Sequence, residues 1–286
     1  MRSRIIPKEE QFSLGIPSWK AAGIGHNAAP TVKRLLQFLA MLGVNAVPAL
    51  GWFVEGWGGG TTLAIYWFEN VAACLFVAAR IALHQHWNPL RGHFAHSPRE
   101  GTKHGRGQSF LGGFTMISLV FSAAHGFFLA MIILVLTHNG KGDEVEFSLR
   151  DMGIGCGNVL VFLTVNFAAD LPGLRKWTFL RIEQMAERNL ARVIIVHMTI
   201  IFGMLGVAMT NATKAFFGVF IALKTMNDLN SVIPQWDPEK PPAWLCSIMN
   251  KIPSAHPGEK FEDFWVKDKA AERARRAANE RPYQRG

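Results

Sequence analysis

Two stretches of this chain contain no Asp, Glu, Lys or Arg: Leu35 to Val54 and Phe110 to Thr137. A hydrocarbon core about 30 Å thick is crossed by about 20 apolar helical residues, whose backbone polar groups are satisfied within the segment. Both stretches reach that length. Composition alone leaves the fold class open, since 286 residues with 49% hydrophobic and 18% charged side chains would also build one or two soluble domains. The segregation of the charges points to a membrane bundle.

Apolar runs bounded by charge, Gly or Pro occur at Leu35 to Val54, Thr62 to Leu83, Phe110 to Thr137, Met152 to Ala169, Val193 to Asn211 and Lys214 to Val232. The expected fold is all-α, a polytopic transmembrane helical bundle of about six spans over residues 32–232. A cytoplasmic N-terminal arm (1–31) precedes it, and a loosely ordered, basic cytoplasmic tail (233–286) follows. The sixth run is the weakest, because its uncharged core extends only from Ala215 to Leu223.

The basic residues test this scheme independently of hydropathy. The arm carries Arg2, Arg4, Lys8, Lys20, Lys33 and Arg34; the loop after the second run carries Arg91, Arg99, Lys103 and Arg106, with Arg80 at its edge. The loop after the fourth run carries Arg175, Lys176, Arg181, Arg188 and Arg192, whereas the opposite side holds only Lys141, Arg150 and Lys214. Such alternation predicts an even number of spans with both termini in the cytoplasm. The excess of 30 basic over 21 acidic residues would suggest nucleic acid in a soluble protein. Here it lies between apolar runs, so the expected partners are the bilayer and its anionic headgroups, with no nucleic acid.

Several smaller features refine the expectation. Arg2 and Arg4 are not followed by a continuous apolar run, so no secretory signal is expected. Cys74, Cys156 and Cys246 lie far apart and imply no disulfide framework. Trp52 and Trp57 flank the first outer turn, where indole rings favour the headgroup level. Phe179, Ile182, Ala186, Leu190 and Val193 recur at helical spacing, which predicts a helix lying on the inner surface and leading into the fifth span. In the tail, Pro234, Pro238, Pro241, Pro242, Pro253 and Pro257 break long helices. Phe261 to Ala278 then reads as an amphipathic helix, either frayed in solvent or docked on a membrane or a protein partner.

A charge at bilayer depth costs about 2.5 to 3.5 kcal/mol on insertion scales, so those inside apolar runs need a partner or a role. Glu69, followed by Asn70, has Ala72, Ala73 and Phe76 on its own face, and the two alanines let another helix approach closely. Burial favours the neutral form of a carboxyl unless a cation or donors hold it ionised, so Glu69 can carry a proton, bind a metal or join two helices. Thr115, Ser118, Ser122 and His125 form one polar stripe of the third run, and an imidazole there suits proton relay, metal ligation or an interhelical hydrogen bond. His197, Asn166, Asp170, Lys224, Asn227, Asp228 and Ser231 are placed together near the inner end, with Lys224 and Asp228 spaced to pair. The site candidates are Glu69, Asn70, His125, His197, Lys224 and Asp228; a metal would fall to Glu69, His125 and His197.

No HExxH, Cys pair, Walker loop or GxSxG elbow names a reaction. Gly153, Gly155 and Gly157 read as helix packing, and the loop with His84, His86, His93, His96 and His104 reads as a solvated connection. The segments Tyr66-Trp67-Phe68-Glu69-Asn70, Arg192 with His197, and Lys224-Thr225 with Asp228 resemble an uncharacterised bacterial membrane-protein family known only as a domain of unknown function. The resemblance spans roughly Leu35 to Ser231 and implies a multi-pass inner-membrane protein, without activity, cofactor or substrate. Three readings remain: a buried site that binds a metal ion or haem or relays protons; a small transporter or channel; or a non-catalytic scaffold whose tail recruits a protein. An oligomer is compatible with each.

Overall fold

A computed structural model describes residues 28–97, 109–138, 146–210, 222–226, 238–252 and 258–284, without the side chains of 28–31, 34, 132, 135, 136, 197 and 199–210. The helices are α1 (Ala28–Phe53), α2 (Gly59–Trp87), α3 (Arg91–Phe94), α4 (Phe110–His138), α5 (Leu149–Leu174), α6 (Phe179–Thr210), α7 (222–226), α8 (Ala243–Met249) and α9 (Phe261–Asn279). Among the described residues there is no β-sheet, only an isolated bridge between Leu90 and Pro282. The protein is all-α and multi-pass in architecture.

Four described helices are long and apolar enough to cross a membrane, α1, α2, α4 and α5, which corrects the expectation of six spans. The fifth expected run, Val193 to Asn211, follows a charged first half of α6 that carries Arg181, Glu183, Glu187, Arg188 and Arg192. Beyond that half, the side chains of His197 and 199–210 lie outside the described residues, as does the sixth run except for α7. Nor does the start of α6 lie apart on a surface. It belongs to one continuous helix whose Phe179, Ile182, Ala186 and Val193 are buried within the protein.

α2 is the axis of the bundle. It packs against α1, α4, α5 and α6, and 56% of its most apolar window is buried, against 17–28% in the other three spans. Those three turn exposed apolar faces outward, with Leu35 and Leu39 on α1, Leu119 and Phe127 on α4, and Leu149 and Val161 on α5. An apolar exterior around a polar interior suits lipid as the surrounding solvent. Close approach depends on small residues: a Cβ on Gly43 would meet the Phe162 ring, and one on Gly155 would meet Ile65 and Trp57. Gly153 and Gly157 face open space, so only the middle residue of that series packs a helix. Trp57 turns inward against Gly51 and joins the core of Val44, Ile65, Ala72, Val159 and Leu163.

The tail is not loosely ordered where it is described. The backbone of Arg91 donates to Arg281 O at 2.7 Å, Tyr283 N donates to Pro89 O at 2.9 Å, and the Tyr283 ring stacks on Phe94 at 4.1 Å. Arg275 of α9 grips Glu183 of α6 through two bonds of 2.6 and 3.1 Å, and His96 contacts the same carboxylate at 2.8 Å. The carboxylate of Glu280 accepts from Leu180 N at 3.0 Å, satisfying an open donor in the first turn of α6. Burial pushes the Glu183 carboxyl up, but hydrogen bonds and charge from His96 and Arg275 outweigh it and hold it below the usual range.

The histidine-rich connection is likewise built in, although His104 lies outside the described residues. His84 Nε2 lies 3.0 Å from the Trp177 carbonyl, and its Nδ1 lies 2.8 Å from His93 Nε2. A carbonyl only accepts, so neutral His84 donates from Nε2 and accepts at Nδ1 from His93. Burial first, then the nearby His84, lowers His93 to about 4.

Two outcomes follow from this clamp. Removing one partner of a buried ion pair costs about 3 to 5 kcal/mol, so Arg275→Ala should destabilise the detergent-purified protein by about 3 kcal/mol and expose α9 to protease. Unchanged melting and an intact α9 would show that the clamp contributes nothing. The second outcome concerns pH. His93 is kept neutral when folded, so the unfolded chain binds more protons once pH falls below about 6.5. The stability of this end should decline from that point down to about 4. His93→Gln should remove that step in protease accessibility, and a step of full size in the variant would place it on another group.

Candidate functional site

Tyr66, Glu69, Asn70 and Ala73 recur at helical spacing and form one buried face of α2. The neighbouring face of α4 presents Ser118, Ser122 and His125, all buried. Helix register is fixed by two ties: Trp67 Nε1 donates to Ser122 O at 2.9 Å, and Asn189 Nδ2 of α6 donates to Cys74 Sγ at 3.2 Å. With Val77 packed in one cluster with Phe114 below and Trp67 bonded at Ser122 above, Asn70 lies at the level of Ser118 and Ser122.

Glu69 is 0% exposed, and its Oε1 lies 2.9 Å from Lys224 Nζ of α7 and 3.3 Å from Arg192 Nη1 of α6. The lysine also donates to Asn45 Oδ1 of α1 at 2.7 Å, and its ammonium sits 5.6 Å from the centre of the Tyr66 ring. Asn45 is oriented for this by donating from Nδ2 to Met41 O at 3.0 Å, which leaves its amide oxygen facing the lysine. Four helices therefore meet at one buried charge cluster. Beside it are groups with no hydrogen-bond partner among the described residues: Glu69 Oε2, both ends of the Asn70 amide, and the hydroxyls of Ser118 and Ser122.

A second cluster is centred on Asp170 of α5. Its carboxylate takes Arg80 of α2 at 3.1 Å, Lys33 of α1 at 3.1 Å and Gln37 Nε2 at 2.8 Å. Arg80 is further held by the Phe76 carbonyl at 3.3 Å and lies 5.0 Å from the centre of the Phe167 ring. Glu69 and Arg80 are eleven residues apart on α2, about 16 Å along the axis, so the two clusters are distinct.

Of the residues marked out by sequence, Glu69 and Lys224 are brought into direct contact, while Asn70 and His125 are buried nearby on α2 and α4. The side chain of His197 and all of Asp228 lie outside the described residues. The grouping by depth is different from expectation: Lys224 joins Glu69, and Asp170 joins Arg80. Arg192 and Arg80 are site residues that sequence reading placed in a loop and at a loop's edge, among the cytoplasmic basic residues. Arg80 had a signal, since it follows Glu69, Ala73 and Val77 on one face of α2.

Among the described residues no group of three or more His, Cys, Asp or Glu side chains is placed to hold a metal ion. The nearest neighbours of Glu69 are two cationic side chains, which repel a metal cation from its carboxylate. The structure thus contains networks of buried ionisable and hydrogen-bonding residues, with acid and base matched across helices.

No curated protein and no solved structure matches the chain. Residues 27–278 match a family described as a family of unknown function (DUF6498). That match runs from the start of α1 into the last turn of α9, and the chain belongs to this family.

Proposed function

We propose that this is a multi-pass protein of the bacterial inner membrane that works by reversible protonation of Glu69. One observation carries the reading: a carboxylate with no exposed surface is shared by two cations from two other helices. A proton on Glu69 cancels the charge that pairs α2 with Arg192 of α6 and Lys224 of α7. Coulomb attraction is strong where the surroundings are apolar, so these two contacts weigh heavily in how α2 is held to α6 and α7. His125 at the neighbouring level of α4 is a second proton acceptor for a relay.

The metal and haem readings fit less well, because Arg192 and Lys224 occupy the carboxylate that a metal would need. Orientation is argued from charge. The start of α1, the α2–α3 connection, the start of α6 and α9 meet at one end of the bundle through Lys33, Arg80, His84, Glu183 and Arg275. That end carries Arg91, Arg175, Lys176 and Arg181, and the positive-inside rule puts it in the cytoplasm with both termini.

Difference infrared spectra between acid and neutral pH should contain the C=O band of a buried protonated carboxyl that Glu69→Gln lacks. Identical spectra for the two proteins would overturn the proposal. Glu69→Leu, which removes the buried carboxylate shared by two cations, should cost about 3 kcal/mol or more in thermal unfolding, while Glu69→Gln keeps a neutral group of the same shape and loses less. Metal content of the purified protein should be the same in wild type and Glu69→Gln.

A further inference from the structure

We infer that the exposed face of α8 is a lipid-docking surface, which seats Trp244, Ile248 and Ile252 in the headgroup region of an anionic leaflet at the cytoplasmic end of the bundle. The inference takes the orientation argued above and is independent of Glu69.

α8 has two unlike faces. Cys246 is buried, and Asn250 on the same side ties the helix to the start of α9: its Nδ2 donates to Glu262 Oε2 at 3.1 Å, and its Oδ1 accepts from Phe261 N at 2.8 Å. Trp244 and Ile248 stand one turn apart on the opposite side. The backbone N–H groups of Lys251 and Ile252 donate to Ile248 O and Met249 O at 3.1 Å, and this turn carries the outer side on to Ile252. The three apolar side chains are 61%, 52% and 44% exposed. α9 leaves them uncovered, and its own aromatic residues pack on one another, Phe261 with Phe264 and Trp265 at ring distances of 6.3 and 5.7 Å.

An exposed apolar face rimmed by polar groups marks an interaction surface, and two observations identify the bilayer as its occupant. The first is composition and charge. An indole, with a broad apolar body and one N–H donor, favours the headgroup level, and lysines beside it lay their stems on apolar surface while the ammonium reaches lipid phosphate. Lys240 and Lys251 flank the face, both exposed and without an ion pair among the described residues. The acids nearby are engaged elsewhere, Glu239 with Arg273 at 3.6 Å and Glu262 with Asn250. Such a face is drawn to anionic lipid.

The second observation is reach. Lys224 of α7 meets Glu69 inside the bundle, and Pro238 follows Met226 by twelve residues, which span at most about 40 Å. His84 lies fifteen residues beyond Glu69 on α2, about 22 Å toward the cytoplasmic end. Pro238 therefore lies no more than about 20 Å past that end, and α8 begins five residues later. α9, held at Glu183 and Leu180, keeps α8 on this side of the membrane.

Fluorine NMR of the full-length protein labelled with 5-fluorotryptophan in nanodiscs tests the contact, with the Trp244 resonance identified by its loss in Trp244→Phe. In discs of mixed phosphatidylglycerol and phosphatidylcholine, a nitroxide on the lipid headgroup should broaden that resonance, and a water-soluble gadolinium chelate should leave it sharp. Lys240→Gln and Lys251→Gln should each lower the ratio of docked to free α8 about fivefold in these discs. Pure phosphatidylcholine should lower it as well. Broadening by the chelate and not by the nitroxide would overturn the inference. Protection from both would put protein on this face, a second copy included, and overturn it too. Equal broadening in pure phosphatidylcholine and in both lysine variants would remove anionic lipid from the assignment. The infrared carboxyl band should be the same in Trp244→Phe and wild type, so failure here leaves the protonation reading standing.

Discussion

A carboxylate sealed among apolar helices needs cations in contact with it, and Glu69 meets Lys224 and Arg192. The two come from α7 and α6, and Lys224 is held in turn by Asn45 of α1. Apolar packing of Val44, Ile65, Ala72 and Val159 brings the helices together without fixing how far one slides along another. The ion pairs fix it. A shift of α6 by one turn, about 5.4 Å, would part Arg192 from Glu69 and Asn189 from Cys74 together.

The polar ties of the bundle are not equally complete. Asp170 is met by Arg80, Lys33 and Gln37, and Arg80 by a carbonyl and an aromatic face besides. At the adjoining end, α9 closes over α3 and α6 through Arg275, Glu280 and Tyr283. Satisfied networks of this kind make a structure rigid. The Glu69 level differs, since Asn70, Ser118 and Ser122 retain unfilled hydrogen-bonding capacity among the described residues. One end of the molecule is therefore fastened by complete polar networks, whereas the ties at the Glu69 level are less complete among the described residues.

Much of the fold was legible because lipid demands long charge-free helices, and α1 and α4 are visible from that demand alone. Glu69, Asn70 and His125 stood out for the converse reason, as polar groups within such runs. Arg80 and Arg192 did not, because counting them with the cytoplasmic basic residues at span edges hides that a buried acid requires them. Lys224 was read from its local spacing to Asp228, while its contact with Glu69 depends on the tertiary approach of α7 to α2. The docking of α9 was hidden for the same reason. Its sequence is that of a charged amphipathic helix, and only Glu183 and Ser97, far along the chain, show which face is covered.

The order of the chain bears on the chemistry of Glu69. α2 precedes α6 and α7, so during insertion Glu69 reaches the bilayer before Arg192 and Lys224 exist beside it. A lone carboxyl in hydrocarbon takes its neutral form, because the ionised one would lose its hydration without gaining a counter-charge. Arg192 and Lys224 bring the counter-charge only when α6 and α7 arrive, so the Glu69 contacts belong to the last steps of assembly.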